Sequence, residues 1–118
     1  RASEPFAGSW CLPAGFQEQD ETPAACAARE CREETGLSVR LTGILDVGYG
    51  TEDPRTRVTV VFYAAEVTGG TLRPGDDAAE ARAFPLDALP SDIPFATHRA
   101  VLARLAREAG IVTGFPRP

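Results

Sequence analysis

Between Pro23 and Thr35 the small and apolar residues recur with a helical period. Advancing about 100° per residue, Ala24, Ala28, Cys31 and Thr35 fall on one face, and Glu30, Glu33 and Glu34 on the opposite one. Thr22-Pro23 opens the helix: Thr is a good N-cap, and Pro fits the first helical position because its missing N–H costs nothing there. Gly36 is placed to close it in a left-handed conformation. The period then shortens. Ser38 to Gly48 alternates imperfectly and ends in glycine, which predicts a strand with a bulge. Thr56 to Val67, dense in β-branched and aromatic residues, is the clearest strand. Tyr49 to Arg55 and Thr68 to Gly70 read as turns, and Thr71 to Ala79 as a polar loop carrying Asp76 and Asp77. Glu80 to Pro85 reads as a short strand and Leu86 to Pro94 as a turn-rich connection. Ala96 to Ala109 returns to the helical period, with Ala100, Val101, Leu102, Leu105 and Ala106 on its apolar side. Gly110 is expected to end that helix, and residues 111–118 read as a loose tail. Before the first helix, Ser9 to Pro13 is a short extended piece, with Trp10 and Phe16 expected in the core.

Three carboxylates at i, i+3 and i+4 repel one another by a few tenths of a kcal/mol per pair on an exposed helix. A solvated acidic face would interleave Lys, and this one supplies only Arg29 and Arg32. Hard divalent cations offset such repulsion, and Mg²⁺ typically combines a few carboxylates with substrate phosphate. Arg29 lies one residue from Glu30 and four from Glu33, so a charge-assisted hydrogen bond can fix a carboxylate rotamer.

Composition narrows the classes. A chain of 118 residues, 43% hydrophobic and 25% charged, suits one globular domain with one core. No apolar run approaches the ~20 residues of a membrane span, and no secretory leader is read at the start, so no membrane partner is expected. The net charge of −5 argues against a nucleic-acid polymer, which wants a basic stripe, but admits a small phosphorylated substrate whose charge bound metal would meet. Cys11, Cys26 and Cys31 form no CxxC pair and read as buried thiols in a reducing compartment, the cytoplasm.

From Gly15 to Leu37 the chain reads GFQEQDETPAACAARECREETGL. Gly15, Glu21, Arg29, Glu30, Glu33, Glu34, Gly36 and Leu37 fit the spacing G-x5-E-x7-R-E-U-x-E-E-x-G-U, which resembles the Nudix box. Cys31 takes the first bulky-apolar position as a small hydrophobe. With residue frequencies near 5–7%, such identities coincide by chance on the order of once in 10⁹ start positions. The resemblance implies that Glu30, Glu33 and Glu34 hold Mg²⁺ (or Mn²⁺) against a pyrophosphate, that Arg29 orients catalytic carboxylates, and that the Ala14 carbonyl adds a ligand. Bound metal would neutralise phosphoryl oxygens and lower the pKa of water. Glu21 looks like a loop anchor or outer ligand.

Members often recruit one more carboxylate from the region after the second strand. Glu80 matches best, as metal ligand or base, and Asp77 is the alternative. Nudix domains usually place a long strand before the box, ending in Arg, so Arg1 looks like the exit of that strand and a candidate substrate contact. The expectation is therefore a single Nudix domain over 1–118 that lacks its N-terminal strand. His98 reads as a surface or capping residue on the last helix.

Arg1 to Pro5, WCLPAGF over Trp10 to Phe16, and the run from Ile93 to Leu105 look like the ADP-ribose/FAD/NADH pyrophosphatase-like branch. The implied fold is an α/β/α sandwich, a mixed β-sheet between the box helix and the C-terminal helix. The implied reaction is metal-dependent hydrolysis of a nucleoside diphosphate linked to another moiety, with ADP-ribose giving AMP and ribose 5-phosphate. A nucleoside triphosphate sanitiser is the alternative within enzymes. A non-catalytic nucleotide-sugar sensor is disfavoured, because all four box glutamates are present. A homodimer is left open.

Overall fold

Thr22 caps the first helix, its hydroxyl accepting from the Ala25 amide at 3.1 Å. Helix α1 runs Pro23–Thr35 and stops at Gly36, whose φ of 77° is the left-handed stop expected there. A Cβ at position 36 would collide with the Thr71 carbonyl. The sequence passes directly into β1, Leu37–Gly50, which pairs antiparallel with β2, Val58–Gly70. Helix α2 spans Ala96–Glu108. This structure, a computed structural model, describes residues 9–50, 57–75 and 78–111. Arg1, Asp76 and Asp77, and residues 51–56 and 112–118, on which most of the expected Tyr49 to Arg55 turn and the expected tail fall, lie outside the described residues.

Among the described residues the sheet is the single pair β1-β2. Its register runs from Leu37↔Gly70 to Gly50↔Val58 and slips at Ser38/Val39, Leu41/Gly43 and Ile44/Asp46. One bulge was expected from the imperfect alternation, and three irregularities are found. Strand β1 runs beyond both expected limits and β2 beyond its expected end, because the ladder continues to Gly50 and Gly70 on backbone bonds that need no side-chain pattern; β2 starts at Val58, after Arg57. Glu80 to Pro85 forms no strand. Its Phe84 ring meets that of Trp10 edge to face, 4.9 Å between centroids, so side-chain packing rather than a ladder fastens this stretch.

One sheet face, through Val60 and Phe62, packs with Leu45 against Ile93 and the α2 residues Val101 and Leu102, and Trp10, Leu12 and Leu89 close the cluster. Helix α2 is buried at His98, Val101, Leu102, Ala103 and Ala106. The burial of His98 corrects the surface reading: its ring sits against Phe62 and Phe95, and its Nδ1 accepts from the Leu12 amide at 3.2 Å. Its low exposure, 6%, follows from a position one turn ahead of Leu102 on the apolar side. Phe16, expected in the core, is 69% exposed, because the loop that carries it turns outward over α1.

Candidate functional site

The loop from Pro13 to Glu21 folds back over the acidic face of α1, and that placement builds the site. Cys26, the buried residue of the helix, lies on this face rather than on the small-residue face opposite. Its thiol is 3.6 Å from the Gly15 carbonyl. Burial, and next the charge of Glu21, push the thiol pKa up. A Cβ at Gly15 would collide with the Glu30 carboxylate, so glycine there lets the loop close onto Glu30. The Ala14 amide donates to Glu34 Oε2 at 2.8 Å. Ala14 and Glu34, predicted to share a site, therefore meet through the amide of Ala14.

Arg29 is the hub. Its Nε donates to Glu21 Oε2 at 2.7 Å and its Nη2 to Glu21 Oε1 at 3.0 Å, a planar two-point grip. Nη1 donates to Glu30 Oε1 at 2.7 Å and Glu33 Oε2 at 3.1 Å, and Nη2 also to the Phe16 carbonyl at 3.2 Å. Glu18 Oε1 stands 3.5 Å away. All five guanidinium N–H donors thus have acceptors. The Arg29 grip, with the backbone amide of Glu18 next, draws the Glu21 pKa from 4.5 down to about 2. The same Glu21 contact raises that of Arg29 above its ordinary value.

The contacts from Arg29 to Glu30 and Glu33 follow from their spacing. The two-point grip on Glu21 does not, because it depends on how the loop turns before Thr22. Asp20 makes that turn with a positive φ of 64°, and the Glu21 amide closes it on the Glu18 carbonyl at 3.1 Å. An Asp directly before the acidic residue was the available signal.

Glu80 is placed differently. Its carboxylate accepts from Arg82 Nη2 at 2.5 Å, and the Arg82 guanidinium lies over Trp10 and Phe84. Among the described residues the polar partner of Glu80 is Arg82, not a residue of α1. Among the described residues no three Asp, Glu, His or Cys side chains converge as a metal cluster. The donor set nonetheless suits a hard divalent cation: Glu30, Glu33 and Glu34 offer carboxylate oxygens from one helix face, and Glu33, with its side chain 43% exposed, has room to turn.

Residues 1–106 match the family model of the NUDIX domain. The chain is 42% identical over 91 residues to an ADP-ribose pyrophosphatase of Methanocaldococcus jannaschii, covering 76% of this chain and 54% of that protein. It is 35% identical over 99 residues to an 8-oxo-(d)GTP phosphatase of Mycolicibacterium smegmatis, covering 83% of this chain and 30% of that protein. The chain thus spans about half the length, or less, of these two relatives. A crystal structure of a NUDIX hydrolase from Nitrosomonas europaea superposes with a TM-score of 0.78 at 31% identity, covering 94% of this chain and 63% of that one. The α/β arrangement is accordingly the Nudix fold, and with its box helix, its Arg29-centred carboxylates and this likeness over most of its length the chain belongs to the NUDIX family.

Proposed function

We propose that this chain hydrolyses the pyrophosphate linkage of a nucleoside diphosphate joined to another moiety, with ADP-ribose as the leading substrate and AMP and ribose 5-phosphate as products. The observation that carries this reading is the Arg29 hub, which holds Glu30 and Glu33 on one face beneath the Gly15 loop. Glu30, Glu33 and Glu34 hold Mg²⁺ (or Mn²⁺), with the Ala14 carbonyl as a further ligand. When bound, the cation supplies positive charge to the phosphoryl oxygens and acidity to water.

The protein's own groups do the rest. Arg29 fixes the rotamers of Glu30 and Glu33 and keeps their mutual repulsion in check. The Ala14 amide orients Glu34. Glu33 takes the proton from the water that attacks phosphorus in line with the leaving group. Glu80 is the second candidate for this proton or for a metal ligand, and using it requires release from Arg82. Arg1 remains a candidate contact to substrate phosphate. The chain works on a small nucleotide in the cytoplasm, where its three free thiols persist.

A second reading, triphosphate sanitising, is supported by the likeness to the 8-oxo-(d)GTP phosphatase of Mycolicibacterium smegmatis. The carboxylates serve the pyrophosphate common to both substrate classes, so the pocket around base and distal sugar must discriminate. Comparing kcat/KM for ADP-ribose, NADH, FAD and 8-oxo-dGTP with Mg²⁺ separates the two. We expect roughly 10- to 100-fold preference for ADP-ribose, as one or two polar groups left unpaired by the wrong substrate would produce. Preference for the triphosphate overturns this choice of substrate. Glu34→Gln should lower turnover roughly 10²-fold or more, and near wild-type turnover would remove Glu34 from the metal site.

A further inference from the structure

A cleft of about 530 Å³ opens where the end of α1 meets the loop that follows β2. Arg29, Arg32 and Glu33 line it from the helix, and Arg73 and Gly75 from the loop. The loop is fastened to the helix by its backbone: the Arg73 amide donates to the Thr35 carbonyl at 2.8 Å, and the Gly75 amide to the Glu34 carbonyl at 3.2 Å. The position a Cβ would take at Gly36 is 3.0 Å from Arg73 Cγ, so the stem of Arg73 lies across that glycine.

The three arginines are not equivalent. The donors of Arg29 are all engaged, by Glu21, Glu30, Glu33 and Phe16. The side chains of Arg32 and Arg73 are exposed, and neither guanidinium pairs with a carboxylate among the described residues. Basic residues at a helix C-terminus commonly serve its free carbonyls and dipole. Here three of the last four carbonyls are already served, because Arg32, Glu34 and Thr35 accept from the amides of Gly36, Gly75 and Arg73. Among the described residues, two guanidinium groups therefore stand beside one cleft with no carboxylate partner, in a chain of net charge −5.

We infer that this cleft is an anion subsite that takes a phosphate group, with Arg32 and Arg73 as its receptors. Guanidinium forks match phosphate oxygens in pairs, and a loop held by backbone bonds presents Arg73 with little ordering cost. The inference goes beyond the pyrophosphohydrolase reading and holds whatever α1 hydrolyses. Where both hold, Glu33 borders the carboxylate site and this cleft alike, so a phosphate held in the cleft lies beside the carboxylates that serve the linkage being cleaved.

The test uses the full chain, free of metal, titrated with inorganic phosphate at low and constant ionic strength while the arginine Nε–Hε resonances are followed. The Arg32 and Arg73 signals should shift saturably, whereas those of Arg40 and Arg82, each paired with a glutamate, should not. Arg32→Gln and Arg73→Gln should each weaken phosphate binding about 10-fold, in line with losing one charged hydrogen-bonding group. Equal, unsaturable shifts across all exposed arginines overturn the inference, as do Gln variants that titrate like the wild type. Because no metal or turnover is involved, failure here leaves the hydrolase reading standing. An inactive chain that still binds phosphate through these two arginines separates the outcomes in the other direction.

Discussion

At the scale of single residues the site is a balance between one guanidinium and four carboxylates, those of Glu18, Glu21, Glu30 and Glu33. Lys at position 29 would keep the charge, but its three donors cannot reproduce a planar two-point grip on Glu21 together with bonds to Glu30 and Glu33. Arg29→Lys should therefore reduce kcat about 10- to 100-fold while the chain stays folded, and unchanged turnover would show that charge alone suffices. The grip also has a pH signature. The folded pKa of Glu21 is drawn from 4.5 to about 2, so its bond to Arg29 stabilises the fold fully above pH 4.5. That contribution fades as pH falls toward about 2. In acid unfolding the difference between wild type and Glu21→Gln should shrink through this window. A difference that stays constant from pH 6 to pH 2 would contradict it.

At the scale of elements, two glycines set where loops touch α1. Gly15 lets the preceding loop close on Glu30, and Gly36 both ends the helix and admits Thr71. Gly36→Ala forces a side chain into the left-handed region and against a backbone carbonyl. It should cost about 1–3 kcal/mol, read as a lower urea midpoint. Gly15→Ala meets the Glu30 carboxylate, a side chain, instead of backbone. Its expected effect is on activity and metal affinity, with the unfolding midpoint little changed. A fall in stability without a fall in turnover would reverse that assignment.

At the scale of the whole molecule, His98 connects the core to the site. It is buried between Phe62 and Phe95 on α2, and it anchors Leu12, two residues before Ala14. His98→Ala removes this acceptor and leaves a half-buried amide unpaired, a loss of about 1–3 kcal/mol in urea unfolding. Because the Leu12 to Gly15 segment then loses its anchor, Mg²⁺ affinity should weaken as well. A variant that loses stability but binds Mg²⁺ unchanged would confine His98 to packing. The other sheet face places Ile44, Val47, Tyr49 and Val67 in solvent, more than half exposed each. The core therefore rests on one side of the hairpin.

Much of this was legible in the chain itself because it is local. The limits of α1 follow from Thr22, Pro23 and Gly36, whose conformational preferences act within one turn, and the carboxylate face follows from helical spacing alone. Helix α2 was equally readable, since its apolar side repeats at the same period. The features read wrongly or missed depend on contacts between distant residues. Glu80 to Pro85 has strand-like composition, yet a ladder requires a partner strand, and side-chain packing on Trp10 takes its place. Nothing local says that Phe16 is exposed while the polar ring of His98 is buried, because burial depends on which surfaces meet. The sequence by itself determined which helix presents Arg29, Glu30, Glu33 and Glu34. Only the tertiary structure decided that the Gly15 loop would cover that face, that Arg29 would grip Glu21, and that Arg73 would stand beside Arg32, because each depends on how a loop turns back onto the helix rather than on helical spacing.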